Sequence, residues 1–231
     1  MNPLGFGLGS VERRRRRLHR RASQGPLREY LNVPFPAPST PADRLDLLAV
    51  DLETTGLDPA VDRILSVGYV PIRDGTVRLS GARQHVVSQR LPVGQSATIH
   101  QLTDDDVADG SSLEFVLTDL LEALRGRVLL AHHAEMERGF LAPAIRSVFG
   151  SAPAFSIVDT LLLQARVMRV ELEEAPRGTL RLGAAREHFG LPRYRSHEAL
   201  TDALACAELF LAQQAELAGR GTVSLRTLQR G

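Results

Sequence analysis

The stretch Leu47 to Gly56, Leu-Leu-Ala-Val-Asp-Leu-Glu-Thr-Thr-Gly, constrains the fold more than any other part of the chain. Four apolar residues, Leu47 to Val50, run directly into two carboxylates. A short apolar run of this kind suits a strand buried on both faces. Side chains alternate along a strand, so Asp51 and Glu53 share one side and Leu52 faces the other. Two anions held this close repel each other, and one tends to take up a proton. A divalent cation removes the conflict, and hard oxygen ligands suit magnesium or manganese. Thr54-Thr55-Gly56 then turns the chain and presents backbone N–H groups to an anionic ligand.

The hydrophobic fraction of 43% and charged fraction of 24% match a soluble globular protein, and 231 residues hold one well-buried domain with extensions. No apolar run approaches the roughly 18 residues of a membrane helix, so no membrane segment is expected. The N-terminal charges lead into no apolar secretory segment. The single cysteine, Cys206, cannot form an internal disulfide, which fits a reducing cytoplasm, and its apolar helical surroundings suit a small buried hydrophobe.

All 28 basic residues are arginine. The net charge of +1 hides an asymmetry: residues 1–44 hold 9 Arg against 3 acids, +6, and residues 45–231 hold 19 Arg against 24 acids, −5. A basic arm on a slightly acidic domain points to a polyanion near an acidic, metal-binding cleft.

Three segments follow. Residues 1–44 are a basic extension with the run Arg13 to Arg17, a short helix over Gln24 to Leu31, and a Pro-rich linker containing Pro34, Pro36, Pro38 and Pro41. The pattern Gln24-x-x-Leu-x-x-Tyr-Leu31 is faintly similar to peptides that bind sliding clamps. Residues 45–219 form the main domain, and residues 220–231 a short tail. Strands are expected at Leu47–Glu53, Arg63–Ile72 and Thr76–Val87, with Asp74-Gly75 as a hairpin turn. A helical segment at Thr98–Asp109 and a helix at Ser111–Leu124 come next, the latter capped by Ser111 or Ser112. Then follow a strand at Val128–Ala131, a helix at Glu135–Phe149, a strand at Ala154–Val158, and helices at Thr160–Arg169, Thr179–Phe189 and His197–Leu217. This order implies an α/β fold, a mixed five-stranded sheet with helices on both faces.

Two further groups bear on Asp51 and Glu53. Glu137 lies in the first turns of a helix that follows a buried strand, where open α/β folds place functional side chains. His197 and Asp202 stand five apart, about 140° around a helix, so His197 reaches the same site as Asp202 if it precedes the helix, with Ser196 as the cap.

Together these residues resemble the DEDD-type 3′–5′ exonucleases, in their His-containing DEDDh branch. Asp51-x-Glu53-Thr-x-Gly56 is similar to the first motif, Ala131-His-His-Ala-x-x-Glu137-x-x-Phe-Leu to the second, and His197-x-x-Ala-Leu-x-Asp202-Ala to the third. Ile99-His-x-Leu-Thr and Val158-Asp-Thr160 match lesser landmarks, and the order is right from about Leu45 to Leu217. The family includes the proofreading subunit of bacterial replicative DNA polymerase, ribonuclease T and oligoribonuclease. Three departures stand out: Glu137 replaces the usual Asp, His133 the usual Asn, and Gln101 the usual Gly. None removes a carboxylate.

The resemblance implies a ribonuclease H-like fold and hydrolysis at single-stranded DNA 3′ ends that releases nucleoside 5′-monophosphates. Asp51, Glu53, Glu137 and Asp202 would hold two Mg²⁺ or Mn²⁺, and His197 would act as general base. Thr54, Thr55, Gly56 and Leu57 would receive the terminal nucleotide, with Leu57 against its base and His132 lining the cleft. An RNA-directed exonuclease and a non-catalytic nucleic-acid-binding module are the alternatives. A DNA polymerase or sliding clamp is the implied protein partner.

Overall fold

The computed structural model describes residues 8–88, 110–195 and 197–229. Six strands form one sheet in the order β3-β2-β1-β5-β6, with β4 also paired to β2. They are β1 Leu47–Thr54, β2 Ile64–Arg73, β3 Thr76–Val77, β4 Arg83–Val86, β5 Val128–Ala131 and β6 Ile157–Asp159. Strand β1 runs antiparallel to β2 and parallel to β5, and β5 runs parallel to β6. The sheet is mixed, but it has six strands where five were expected. The expected third strand, Thr76–Val87, breaks at a 3₁₀ turn over Leu79–Gly81, and its two pieces pair with different stretches of β2. The last strand is shorter and later than Ala154–Val158.

The hairpin between β2 and β3 turns where Asp74-Gly75 required it. Both residues take the left-handed conformation (φ 51° and 63°), as a tight hairpin matching the strand twist demands.

The described helices are α1 Leu8–His19, α2 Pro26–Asn32, α3 Leu113–Ala123, α4 Glu135–Phe149, α5 Thr160–Met168, α6 Leu182–His188, α7 Ala199–Ala218 and α8 Leu225–Leu228. Ser112 caps α3, its side chain accepting from Phe115 N. Asp159 caps α5 by accepting from Leu161 N. The expected segment at Thr98–Asp109, with Ile99-His-Gln-Leu-Thr103, lies outside the described residues.

Alternation along β1 divides the core. Leu48 and Val50 face one cluster with Leu117 and Leu120 of α3 and Phe140 and Leu141 of α4. Leu47 and Ala49 face the other, with Leu163 of α5 and Cys206 and Phe210 of α7. Helices therefore cover both faces of the sheet. Among the described residues, no helix is long and apolar enough to cross a membrane.

Chain before Leu45 is bound into this architecture. Leu27, Tyr30 and Leu31 of α2 are buried, and Tyr30 Oη donates to Ala154 O at 2.8 Å. Burying side chains of this size contributes about 1.5–3 kcal/mol each, enough to hold a seven-residue helix in place. This corrects the likeness to a clamp-binding peptide, because the three residues that such a peptide would offer to a partner are spent on the core. The Pro-rich passage is anchored too: Phe35 packs on the first cluster, and Arg226 N donates to Pro38 O at 2.8 Å. At the far end, Leu225 and Leu228 of α8 are buried in the second cluster.

Candidate active site

The site forms where the parallel strands end. Asp51 and Glu53 leave β1 on the face covered by α7, and Asp202 enters from the first turn of α7. One carboxylate oxygen from each of these three residues lies within 4.8 Å of the other two. Gly68 makes this approach possible. It pairs with Asp51 across β1 and β2, and a Cβ there would come within 2.1 Å of the Ala199 carbonyl carbon. The helix can therefore press its first turn onto the sheet only above a residue without a side chain. Gln84 of β4 completes the seat, its Oε1 accepting from Leu200 N at 3.0 Å. Gln84 carried no sequence signal, and the glycine within a strand marks close backbone approach but not against which element.

Three of the four expected carboxylates thus meet. Glu137 is buried in the first turn of α4 but does not join the mutual group of Asp51, Glu53 and Asp202. It stands close enough to raise the Asp51 pKa by its charge, and its Oε2 is buried without a hydrogen-bond partner.

Electrostatics follow from this crowding. Burial pushes the Asp51 carboxyl well above the ordinary carboxylate range, and the charges of Glu137, Asp202 and Glu53 add to it. Glu53 is pushed up to about 7 by burial and then by Asp202. Glu137 is raised to about 8, mainly by burial. Asp202 also moves up through burial, opposed by the N–H of His197. Acids destabilised by burial and one another, beside an unpartnered buried oxygen, fit a bound divalent cation: it supplies the positive charge and the missing contact.

His197 lies outside α7, which begins two residues later than expected, with Glu198 at its N-cap. Its backbone is left-handed (φ 75°), uncommon for a residue with a side chain, and its N–H donates to Asp202 Oδ2 at 2.8 Å. Asp202 therefore faces the other acids and fixes the histidine's backbone. The side chain of His197 is exposed at the cleft mouth, and Ser196 lies outside the described residues. Buried Arg186 of α6 anchors the approach to it, donating to Pro192 O at 2.9 Å and to Glu208 Oε2 at 2.9 Å while stacking on the Tyr194 ring.

The expected nucleotide-receiving segment forms a self-bonded turn. Thr54 Oγ1 donates to Gly56 O at 2.6 Å, and Thr55 Oγ1 donates to Asp62 Oδ1 at 2.9 Å. Beyond it, Leu57 is 79% exposed, an apolar side chain with no core contact to explain it. His132 places Nδ1 2.9 Å from Thr160 Oγ1, while Nε2 is buried without a partner. Burial lowers its pKa to about 4, so it is neutral near pH 7.

Asp159, which the sequence marked only through the Val158-Asp-Thr160 landmark, is a positioning residue. Besides capping α5, its carboxylate accepts from His133 N at 3.0 Å and Ala134 N at 2.9 Å. It thereby ties the end of β6 to the turn that launches α4 and Glu137. An Asp just ahead of a helix is a cap signal in general, but its second grip depends on β5 and β6 being neighbours.

A helix-flanked mixed sheet with acids gathered at the end of its first strand defines a nuclease-type architecture. The family model described as exonuclease, RNase_T, matches residues 48–210, and the chain belongs to this family, the DnaQ-like DEDD 3′–5′ exonucleases. It is 31% identical over 164 residues to a DNA polymerase III PolC-type protein of Thermotoga petrophila, covering 71% of this chain and 11% of that one. It is 31% identical over 185 residues to a DNA polymerase III subunit epsilon-like protein of Rhodobacter capsulatus, covering 79% of this chain and 25% of the relative. The chain thus spans only a minor part of these relatives. Among solved structures it resembles Exonuclease X in complex with 5′ overhanging duplex DNA (TM-score 0.59, 22% identity, 79% of this chain and 97% of that one). It also resembles E. coli Exonuclease I in complex with a dT13 oligonucleotide (TM-score 0.63, 16% identity, 76% and 43%). At these identities the two structures establish the fold.

Proposed function

We propose that this protein is a metal-dependent exonuclease that removes nucleotides from the 3′ ends of single-stranded DNA, releasing nucleoside 5′-monophosphates. The observation that carries this reading is the convergence of Asp51, Glu53 and Asp202 within 4.8 Å, with His197 tied to Asp202 at its rim. Asp51, Glu53 and Asp202, backed by Glu137, would hold two Mg²⁺ or Mn²⁺. Such ions make a bound water acidic near neutral pH and stabilise charge on the leaving oxygen.

The protein's own residues do the rest. The imidazole of His197 accepts the proton of the attacking water, the task for which histidine is the usual side chain near neutral pH. Its exposure lets it shed that proton to solvent before the next turnover. Thr54, Thr55 and Gly56 hold the terminal nucleotide, and Leu57 offers it an apolar face. His132, neutral because it is buried, lines the cleft without adding charge near the phosphate.

DNA is favoured over RNA by the names of the relatives, which are DNA polymerase III proteins. The same names support association with a bacterial polymerase, and buried, unpaired Cys206 is compatible with the cytoplasm. In this reading residues 45–219 are the catalytic unit. A time course on 3′-labelled and 5′-labelled single-stranded DNA and RNA, with Mg²⁺, Mn²⁺ or EDTA, tests it. Metal-dependent release of labelled mononucleotide from 3′-labelled DNA is expected. Internal cleavage, or no release with either metal, would overturn it.

A further inference from the structure

The arginine run does not behave as a loose arm. It forms α1, whose inner face is fixed by one of its own arginines. Arg15 is 6% exposed, donates to Leu31 O of α2, and pairs with Glu12 at 2.8 Å through two bonds. Leu18 and Ala22 pack on the core beside it. Arg28 of α2 closes the end of the helix by donating to Ala22 O at 2.8 Å.

Fixing Arg15 inward determines where the others point. With about 100° per residue, Arg13, Arg14, Arg16 and Arg17 of α1 fall within an arc of about 160° centred opposite Arg15, and Arg20 and Arg21 follow in the turn just past the helix. All six are exposed. Arg16 pairs with Glu12 at 2.9 Å and stays exposed on this face.

This basic face lies at the other end of the sheet from the acidic group. Helix α2, which carries α1, bonds to Ala154, just before β6, and Val33 beyond it packs near Gly126, just before β5. The acids stand where those strands finish. Strand β1, rising about 3.3 Å per residue, alone puts about 20 Å between Leu47 and Glu53.

We infer that the outward face of α1 is a second nucleic-acid contact, which grips the sugar-phosphate backbone of a strand well upstream of the 3′ end held at the acidic group. Charge complementarity selects the occupant: six exposed guanidiniums suit a regular polyanion, and the remainder of the chain, residues 45–231, is net −5. The choice of nucleic acid rests on the exonuclease reading; the existence of the contact does not. A dinucleotide is too short to reach it.

The test uses the full chain in EDTA, so that binding is read without hydrolysis. Fluorescence anisotropy on a labelled 40-nucleotide single strand is measured from 50 to 200 mM salt. The wild type is compared with a variant in which Arg13, Arg14, Arg17, Arg20 and Arg21 become Gln, and with a second in which they become Lys. Each phosphate contact adds about 0.7 to the slope of log affinity against log salt for single strands. Three to five lost contacts flatten it by about 2–3.5, and the wild type's advantage shrinks by about 10–100-fold across that range. The Lys variant should keep the steep slope, which a folding defect in the Gln variant could not explain. With metal restored, turnover of a dinucleotide should be equal in all three. Equal slopes for wild type and Gln variant would overturn the inference, as would anionic phospholipid vesicles, but not DNA, losing affinity for the Gln variant. If the slope changes while no protein hydrolyses DNA, the contact stands and the exonuclease reading falls.

Discussion

Replacing Asp51 by Asn should abolish hydrolysis and, unusually for a residue in a functional site, stabilise the metal-free protein. Three carboxylate oxygens lie within 4.8 Å of one another. At that distance two unit charges repel by about 1 kcal/mol in water and about 3.5 kcal/mol at the effective dielectric of about 20 that suits protein sites. Partial exposure of Asp51 and Asp202 keeps the relief toward the lower part of that range, about 1–3 kcal/mol. For a chain of this size that is about 3–10 °C in Tm. The pH dependence fixes the sign. Glu53 titrates at about 7 in the fold against 4.5 unfolded, and Asp51 is raised as well. Between these values the folded state holds more protons than the unfolded one, so wild-type apo stability is greatest at low pH and falls as pH rises toward 8. Differential scanning fluorimetry in EDTA should therefore show wild type and Asp51→Asn close together at pH 5, with the variant ahead at pH 8.5. Adding Mn²⁺ should reverse the order, because only the wild type gains strongly from binding. A variant less stable than wild type in EDTA at pH 8.5, or a wild-type Tm flat from pH 5 to 8.5, would refute the electrostatic account of the site.

Four further outcomes follow from the same geometry. His197→Ala should lower turnover by about 10²–10⁴ while Mn²⁺-induced stabilisation persists; a change confined to KM would make it a binding residue. Glu137→Gln should leave apo stability at pH 7 nearly unchanged, because the buried acid with a pKa of about 8 is already mostly protonated there, yet raise the Mn²⁺ needed for half-maximal activity. Glu137→Asp should not improve activity, since the shorter arm retreats from the cluster; activity unaffected by either change at limiting metal would make Glu137 a bystander. Gly68→Ala should cost about 1–3 kcal/mol and weaken metal binding, as its methyl displaces the first turn of α7 and Asp202 with it. Wild-type metal affinity in that variant would show that the helix seat is not what positions Asp202.

The sequence by itself determined whatever local pattern controls. Four apolar residues followed by Asp-x-Glu were enough to place β1 and to put both acids on one side, because strand alternation is a property of the backbone. Asp74-Gly75 set its hairpin, Glu135–Phe149 its helix, and the three motifs the family, since each needs only residue types at short spacing. Tertiary structure decided what depends on neighbours distant in the chain. It broke the third strand, because pairing with β2 is interrupted by a 3₁₀ turn that no periodicity announced. It drew Leu27, Tyr30 and Leu31 into the core, turning a peptide-like pattern and a charged run into a docked helix pair with Arg15 inward and the other arginines of the run outward. It brought Asp202 to Asp51 and Glu53 through an approach that Gly68 permits, set Glu137 near Asp51 but outside that group, and gave Asp159 its grip on the next turn. These are contacts between residues tens of positions apart, set by which strands lie side by side, and side-chain spacing along the chain carries no record of that order.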